Sequence, residues 1–152
     1  MSARAGPDSG LDDRTAVQDL VHRYFAGFDE RRADRAWLDS IVTADVVVDF
    51  PVGAHRGLAE LDSQRARILG LWDRTLHQVT NLTATVDGDR AELRAVLTAT
   101  HVHRADDPGA HLHIGGHLDG DAVRTSAGWR LSRLALTLVW TEGDGPTPPR
   151  DA

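Results

Sequence analysis

The sequence predicts an α+β fold: a cone-shaped α+β barrel with three N-terminal helices packed against a strongly curved, mixed, mainly antiparallel sheet. Three observations lead there. Apolar residues recur at helical spacing in three segments before about residue 72. From His77 onward the period changes to two. The pair Asp87-Gly88 then separates two long alternating runs, as a hairpin turn does. Helices followed by a meander give segregated α and β layers, and a sheet bent around helices encloses a pocket.

Residues 1–10 read as a disordered leader, 11–143 as one domain and 144–152 as a flexible Pro/Gly-rich tail. Asp12 or Asp13 is placed to cap the first helix, which runs to about Phe28. Val17, Leu20, Val21, Tyr24, Phe25 and Phe28 form its apolar stripe, and Asp29 extends that stripe by one position. A short second helix, Ala33 to Val42, carries Trp37, Leu38 and Ile41 on one side; a strand from Ala44 to Phe50 follows and stops at Pro51 and Gly53. The third helix spans Leu58 to about Trp72, with Arg65 and Arg67 off its stripe. The runs His77–Val86 and Arg90–His103 are antiparallel neighbours, and His111–Thr125 and Trp129–Trp140 complete the sheet. Alternation puts His77 with Val79 and Asn81, and puts His101 with Ala91, Leu93, Ala95, Leu97 and Ala99 on an apolar face. In the last strand Leu134, Leu136, Leu138 and Trp140 make one row, with Arg130 in register.

Composition narrows the function. The 152 residues are one ordinary domain, and a net charge of −6 argues against a nucleic-acid or anionic-membrane surface. All 17 basic residues are Arg, so Schiff-base chemistry and a phosphate-loop lysine are excluded. With no Cys, thiol catalysis, disulfides and Cys-based zinc sites are excluded too. No apolar run approaches a membrane span, and the N-terminus has no apolar core of a signal peptide, so the expected location is the cytoplasm.

The chemistry-bearing residues converge on one end of the sheet. Asp29 projects beside a buried face at a helix C-terminus, where the macrodipole disfavours an anion, so a donor or cation must stand nearby. Strands running back from one hairpin bring His77 and His101 to the same end. A carboxylate facing an imidazole fixes its tautomer and raises its basicity, leaving the second nitrogen to move protons. Trp72 and Trp140 lie near the expected mouth, positioned to stack on a flat ligand. His101-Val-His103 and His111-Leu-His113 have ligand-compatible spacing, with Asp107 nearby, but His103 and His111 flank a Pro-Gly loop as solvated turn residues do; no metal and no cofactor is expected. The opposite sheet face, Val96, Thr98, Thr100 and Val102, is apolar enough to pack against another copy, which predicts a homodimer through the sheet.

The order of RYFAGFD, LHQVTN, HVHR, GGHLDGDAVRT, GWRLSR and LVWTEGD resembles the SnoaL-like branch of the nuclear transport factor two superfamily, over roughly Asp13 to Gly143. The pattern is most similar to that of scytalone dehydratase and the bile-acid dehydratases. That resemblance implies Asp29 and His77 as the catalytic pair, Tyr24 as their helper and His101 as the second histidine, contacting the same Asp. The substrate pocket is expected to involve Phe50, Trp72, Asn81, His117, Leu136 and Trp140. A tyrosine of scytalone dehydratase falls near Phe50, which has no hydroxyl, so Tyr24 is the only phenol available. VVVDFPVGAHRG is similar to the ketosteroid isomerase segment that holds the catalytic base, but the base position is Phe50, and Asp49 lies on the opposite pleat. Asp121 resembles the polyketide cyclase base and shares a face with His117 and Asp119. The Asp-Arg-Asp set of limonene-type epoxide hydrolases cannot be assembled. The implied function is a cofactor-independent lyase or isomerase (dehydratase or cyclase) acting on a small hydrophobic cyclic, polyketide-like or steroid-like substrate; the alternative is a non-catalytic ligand-binding or dimerising module.

Overall fold

The computed structural model describes residues 7–147. Helix α1 (Pro7–Asp29) and a one-turn helix α2 (Arg35–Asp39) precede strands β1 (Val42–Phe50) and β2 (Gly53–Arg56). Helix α3 (Leu58–Leu71) leads into β3 (Trp72–Asp87), β4 (Arg90–His103), β5 (Leu112–Thr125) and β6 (Gly128–Glu142). One six-stranded sheet runs β2-β1-β6-β5-β4-β3, with β1 parallel to β6 and every other pair antiparallel. This is the expected mixed, mainly antiparallel α+β arrangement.

The α1 stripe is buried as its spacing demands: Val17, Leu20, Val21, Tyr24, Phe25 and Phe28 all enter the core. They meet the inner row of β4, Ala91, Leu93, Ala95, Leu97 and Ala99, together with Leu118, Leu131, Leu134 and Leu136. Small and large residues alternate along the β4 row, which lets the helix lie close to the curved sheet.

Several boundaries differ from the sequence reading. Residues 7–10 of the expected leader are helical, whereas 1–6 lie outside the described residues. Asp13 does not cap α1; it accepts from both Nη atoms of Arg124 (3.0 and 2.7 Å) and from the Trp129 indole N–H. The second helix is shorter than expected because Asp34 caps it, accepting from the N–H groups of Ala36 and Trp37, and Val42 already belongs to a strand. β2 was not expected: Pro51 and Gly53 turn the chain back instead of ending the sheet. β3 begins at Trp72, five residues before His77. Arg65, off the apolar stripe of α3, is nonetheless buried, its guanidinium held 3.9 Å from the Phe28 ring centre, 4.8 Å from Tyr24 and 5.1 Å from Trp37. Gly27 makes room for this cluster, because a Cβ there would strike the Trp37 ring.

Bulges help decide which side chains face inward, and three of the sheet's five register shifts reverse the expectation from strict alternation. In β3, Asn81 and Leu82 together oppose the single residue Ala95, with Asn81 at φ 51°. Leu82 and Ala84 therefore turn to the core, and Asn81 points to solvent. In β6, Ser132 is inserted between the pairs Leu131–Ala122 and Arg133–Asp121. Trp129 and Leu131 are thus buried, while Arg130 leaves the apolar row and donates to the Asp39 and Trp129 carbonyls. Farther along, Val139 is inserted between Leu138–Gly116 and Trp140–Gly115, so Leu138 stays inside and Trp140 crosses to the outer face, lying over Gly115.

Candidate active site

The site forms where the C-terminus of α1 meets the start of β3. Asp29 is the last residue of α1, where free carbonyls make an anion unfavourable. Three hydrogen bonds offset this. The Thr75 hydroxyl donates to Oδ1 (2.9 Å), the His77 backbone N–H donates to Oδ2 (2.8 Å), and His77 Nδ1 donates to Oδ1 (2.7 Å). Burial by itself would push the Asp29 carboxyl up, but the His77 imidazole, its backbone N–H and Thr75 together hold it below the ordinary carboxylate range. The carboxylate can only accept, so Nδ1 of His77 carries a proton.

Arg31 fixes this junction from outside. At φ 56° it turns the chain out of α1, and its guanidinium donates to the carbonyls of Leu69 (2.7 Å), Asp73 (2.9 Å) and Trp72 (3.3 Å). The end of α1 is thereby tied to the end of α3 and the first residues of β3, which sets Asp29 over Thr75 and His77.

His77 lines a cavity of about 240 Å³ whose walls are nearly all apolar: Phe25, Phe28, Phe50, Trp72, Leu97 and Leu136 are typical. The imidazole lies against Phe28 at 5.4 Å between ring centres and Phe25 at 5.7 Å. His101 lines the same cavity, 5.7 Å from His77 and edge-on to it, because His77 pairs with Ala99 and Thr75 with His101 on adjacent antiparallel strands.

Of the residues expected here, Asp29, His77, His101, Phe50, Trp72 and Leu136 come together. Four do not. Asn81 is turned outward by its bulge, His117 lies exposed on the outer sheet face, and Trp140 crosses to that face. Tyr24 is buried against Arg65, Phe25 and Phe28 and does not line the cavity; burial raises its phenol above the ordinary value. The expected contact between His101 and Asp29 is also absent: His101 Nδ1 donates instead to the Leu112 carbonyl at 3.3 Å. Burial and the neighbouring His77 bring His101 down to about 4.

Sequence reasoning missed Thr75, Arg31 and the tail. Thr75 is signalled only by its parity with His77, two residues along the same face. The tail does not hang free up to residue 147. Thr147 donates through N–H and hydroxyl to Asp107 (2.9 and 2.6 Å), Asp144 pairs with Ala110, and Pro146 becomes part of the cavity wall. Residues 148–152 lie outside the described residues. His103, expected in solvent, is packed on Trp72 with Nε2 donating to the Asp144 carbonyl (2.9 Å). Among the described residues, no three His, Asp or Glu side chains converge as metal ligands would, and no helix is long and apolar enough to cross a membrane.

Comparisons with known proteins agree with this architecture. An uncharacterized protein of Mycobacterium tuberculosis, Rv2910c, is 31% identical over 129 residues, covering 84% of this chain and 86% of that protein. A crystal structure from Novosphingobium aromaticivorans, provisionally named scytalone dehydratase, superposes with a TM-score of 0.79 at 19% identity, over 97% of this chain and 99% of the other. The hexachlorocyclohexane dehydrochlorinase LinA-type3 of Novosphingobium barchaimii superposes with a TM-score of 0.75 at 20% identity, over 92% and 93% of the two chains. The cone of three helices on a curved six-stranded sheet is also the fold of a nuclear transport factor 2-like superfamily protein of Salmonella enterica, with a TM-score of 0.70 at 17% identity over 90% of this chain and 94% of the other. Residues 9–135 match the model of the SnoaL-like domain, and the chain belongs to the SnoaL-like family.

Proposed function

We propose that the protein is a cofactor-independent lyase or isomerase in which the Asp29–His77 pair moves a proton on a small apolar, cyclic substrate held in the cone. The observation that carries this reading is the 2.7 Å contact between His77 Nδ1 and Asp29 Oδ1 at the wall of an apolar cavity. With Nδ1 protonated toward the carboxylate, Nε2 is a lone pair, and no partner among the described residues occupies it. In the reaction, Nε2 takes a proton from a substrate carbon, and Asp29 stabilises the imidazolium that forms. The C–H electron pair becomes the new double bond as the bond to a leaving group on the neighbouring carbon breaks. A departing hydroxide takes the proton back from Nε2 and leaves as water; in an isomerisation the proton returns to another carbon.

Structures named as a dehydratase and a dehydrochlorinase share this fold, which supports elimination chemistry as the reaction class. The rival reading, a non-catalytic binding module, expects Asp29 and the histidines to be remote from one another or turned to solvent. The saturated carboxylate counts against it, since a bare pocket has no use for an oriented imidazole.

The test is turnover of a panel of hydroxylated and halogenated cyclic compounds by the wild type and by His77→Ala. Loss of a general base costs about 10²–10⁴-fold in rate. The expected outcome is a loss of that order in kcat/KM with unchanged circular dichroism. Full activity in the variant would sink the assignment. In this reading the protein works in the cytoplasm, as a homodimer through the outer face of the sheet.

A further inference from the structure

We infer that His101 is the residue that reads the substrate, accepting a hydrogen bond through Nε2 and so selecting a neutral molecule with an O–H or N–H donor over its alkylated or anionic analogue. This deepens the proton-transfer reading and rests on it for the place where the guest binds.

The inference starts from tautomers. His101 Nδ1 faces the Leu112 carbonyl, which can only accept, so Nδ1 carries the proton and Nε2 keeps its lone pair. Its low basicity, near 4, keeps the ring in this neutral form. His77 is fixed in the same sense by Asp29. Two imidazoles therefore present acceptors to one cavity, and their roles divide by what lies behind them. A carboxylate behind His77 stabilises positive charge, which suits proton abstraction. A peptide carbonyl behind His101 does so far less, and the ring lies tilted against Trp72, 5.0 Å between ring centres, in an apolar wall. His101 is suited to accept a hydrogen bond without taking the proton.

The rest of the wall sharpens the selection. Among the described residues lining the cavity there is no Arg, Asp or Glu, and besides the two histidines the polar groups are the Thr141 hydroxyl and the Trp72 indole N–H. Arg65 is screened by the Phe28 ring and gives no cation to the cavity. An anionic guest would lose its hydration and meet no cation. A guest without a donor would leave the His101 lone pair unsatisfied, and a buried polar group without its hydrogen bond is costly.

Binding of 2-naphthol, 2-methoxynaphthalene and 2-naphthoate, measured by calorimetry at neutral pH, tests this without requiring turnover. The expected result is about a tenfold preference for the naphthol over its methyl ether, the worth of one net hydrogen bond, with naphthoate weakest. In His101→Phe the preference should vanish while the ether still binds. Equal affinities in the wild type, a preference that survives in His101→Phe, or tighter binding of naphthoate would each overturn the role of His101 and leave His77 as the base. Failure of all three probes to bind would overturn the cavity as a substrate site, and the proposed function with it. If His101→Phe does not fold, the imidazole ¹⁵N resonances of the wild type decide: Nε2 of His101 must move on adding naphthol and stay still on adding the ether, and the converse defeats the inference.

Discussion

At the scale of single residues, the site is a problem in placing protons. Asp29 would be a poor choice for a helix C-terminus if it were alone; three donors convert it into a fixed acceptor, and its orientation of His77 follows. His101 carries a consequence for stability. Its folded value, about 4, lies below that of an unfolded histidine, so the unfolded chain binds a proton that the native state does not. The native state keeps its full advantage above about pH 6.5 and loses it as the pH falls toward 4. The shift corresponds to about 3 kcal/mol at the acid end. His101→Phe should therefore flatten the decline in urea midpoint between pH 6.5 and 4.5, even if the variant is less stable at neutral pH. An unchanged slope would show that His101 is protonated as readily in the fold as outside it.

At the scale of elements, the bulges matter more than the hydrophobic pattern. Asn81 at φ 51° is the residue that lets β3 shift phase, bringing Leu82 and Ala84 to the core after Val79. Asn tolerates the left-handed region, whereas a β-branched residue there is strained. Asn81→Val should cost about 1–2 kcal/mol, while Asn81→Gly should be close to neutral, both measured as shifts in denaturant midpoint. A neutral Asn81→Val would mean that β3 reaches its register without the bulge. The same reasoning explains why three sequence expectations fail together. Asn81, Arg130 and Trp140 were each placed by counting in twos, and an inserted residue in β3 or β6 reverses the count before it reaches them.

At the scale of the whole molecule, the cone has an inner face filled by α1 and an outer face on which no other element packs among the described residues. Leu76 and Trp140 are 59% and 46% exposed there, beside Val96, Thr98 and Thr100. Charges flank this patch at both ends: Arg94 pairs with Asp119 and Arg133 with Asp121 toward one, and Arg74 and Glu142 lie toward the other. A neutral patch bearing an aromatic fits self-association by a two-fold axis. Sedimentation of the wild type should give twice the chain mass, and Trp140→Glu should shift it to monomer without loss of helix content. A monomeric wild type at micromolar concentration would remove the dimer from the reading.

Much was legible in the sequence because the signals involved are local. The α1 stripe, the change from period 3.6 to period two and the Asp-Gly turn fixed the α+β order and the partnership of β3 with β4, since helical and strand geometry impose those periods residue by residue. From that partnership alone His77 and His101 had to share one end of the sheet, and the misplaced carboxylate of Asp29 had to find donors. Tertiary structure decided the rest. That Thr75 completes the carboxylate, that Arg31 ties α1 to α3, that Arg65 is buried among rings and that Pro146 closes a wall all depend on segments 34 or more residues apart meeting, and no local period records such meetings. The proton on His101 was also beyond the sequence: it is set by the carbonyl that β5 places beside it, a property of strand register rather than of the histidine.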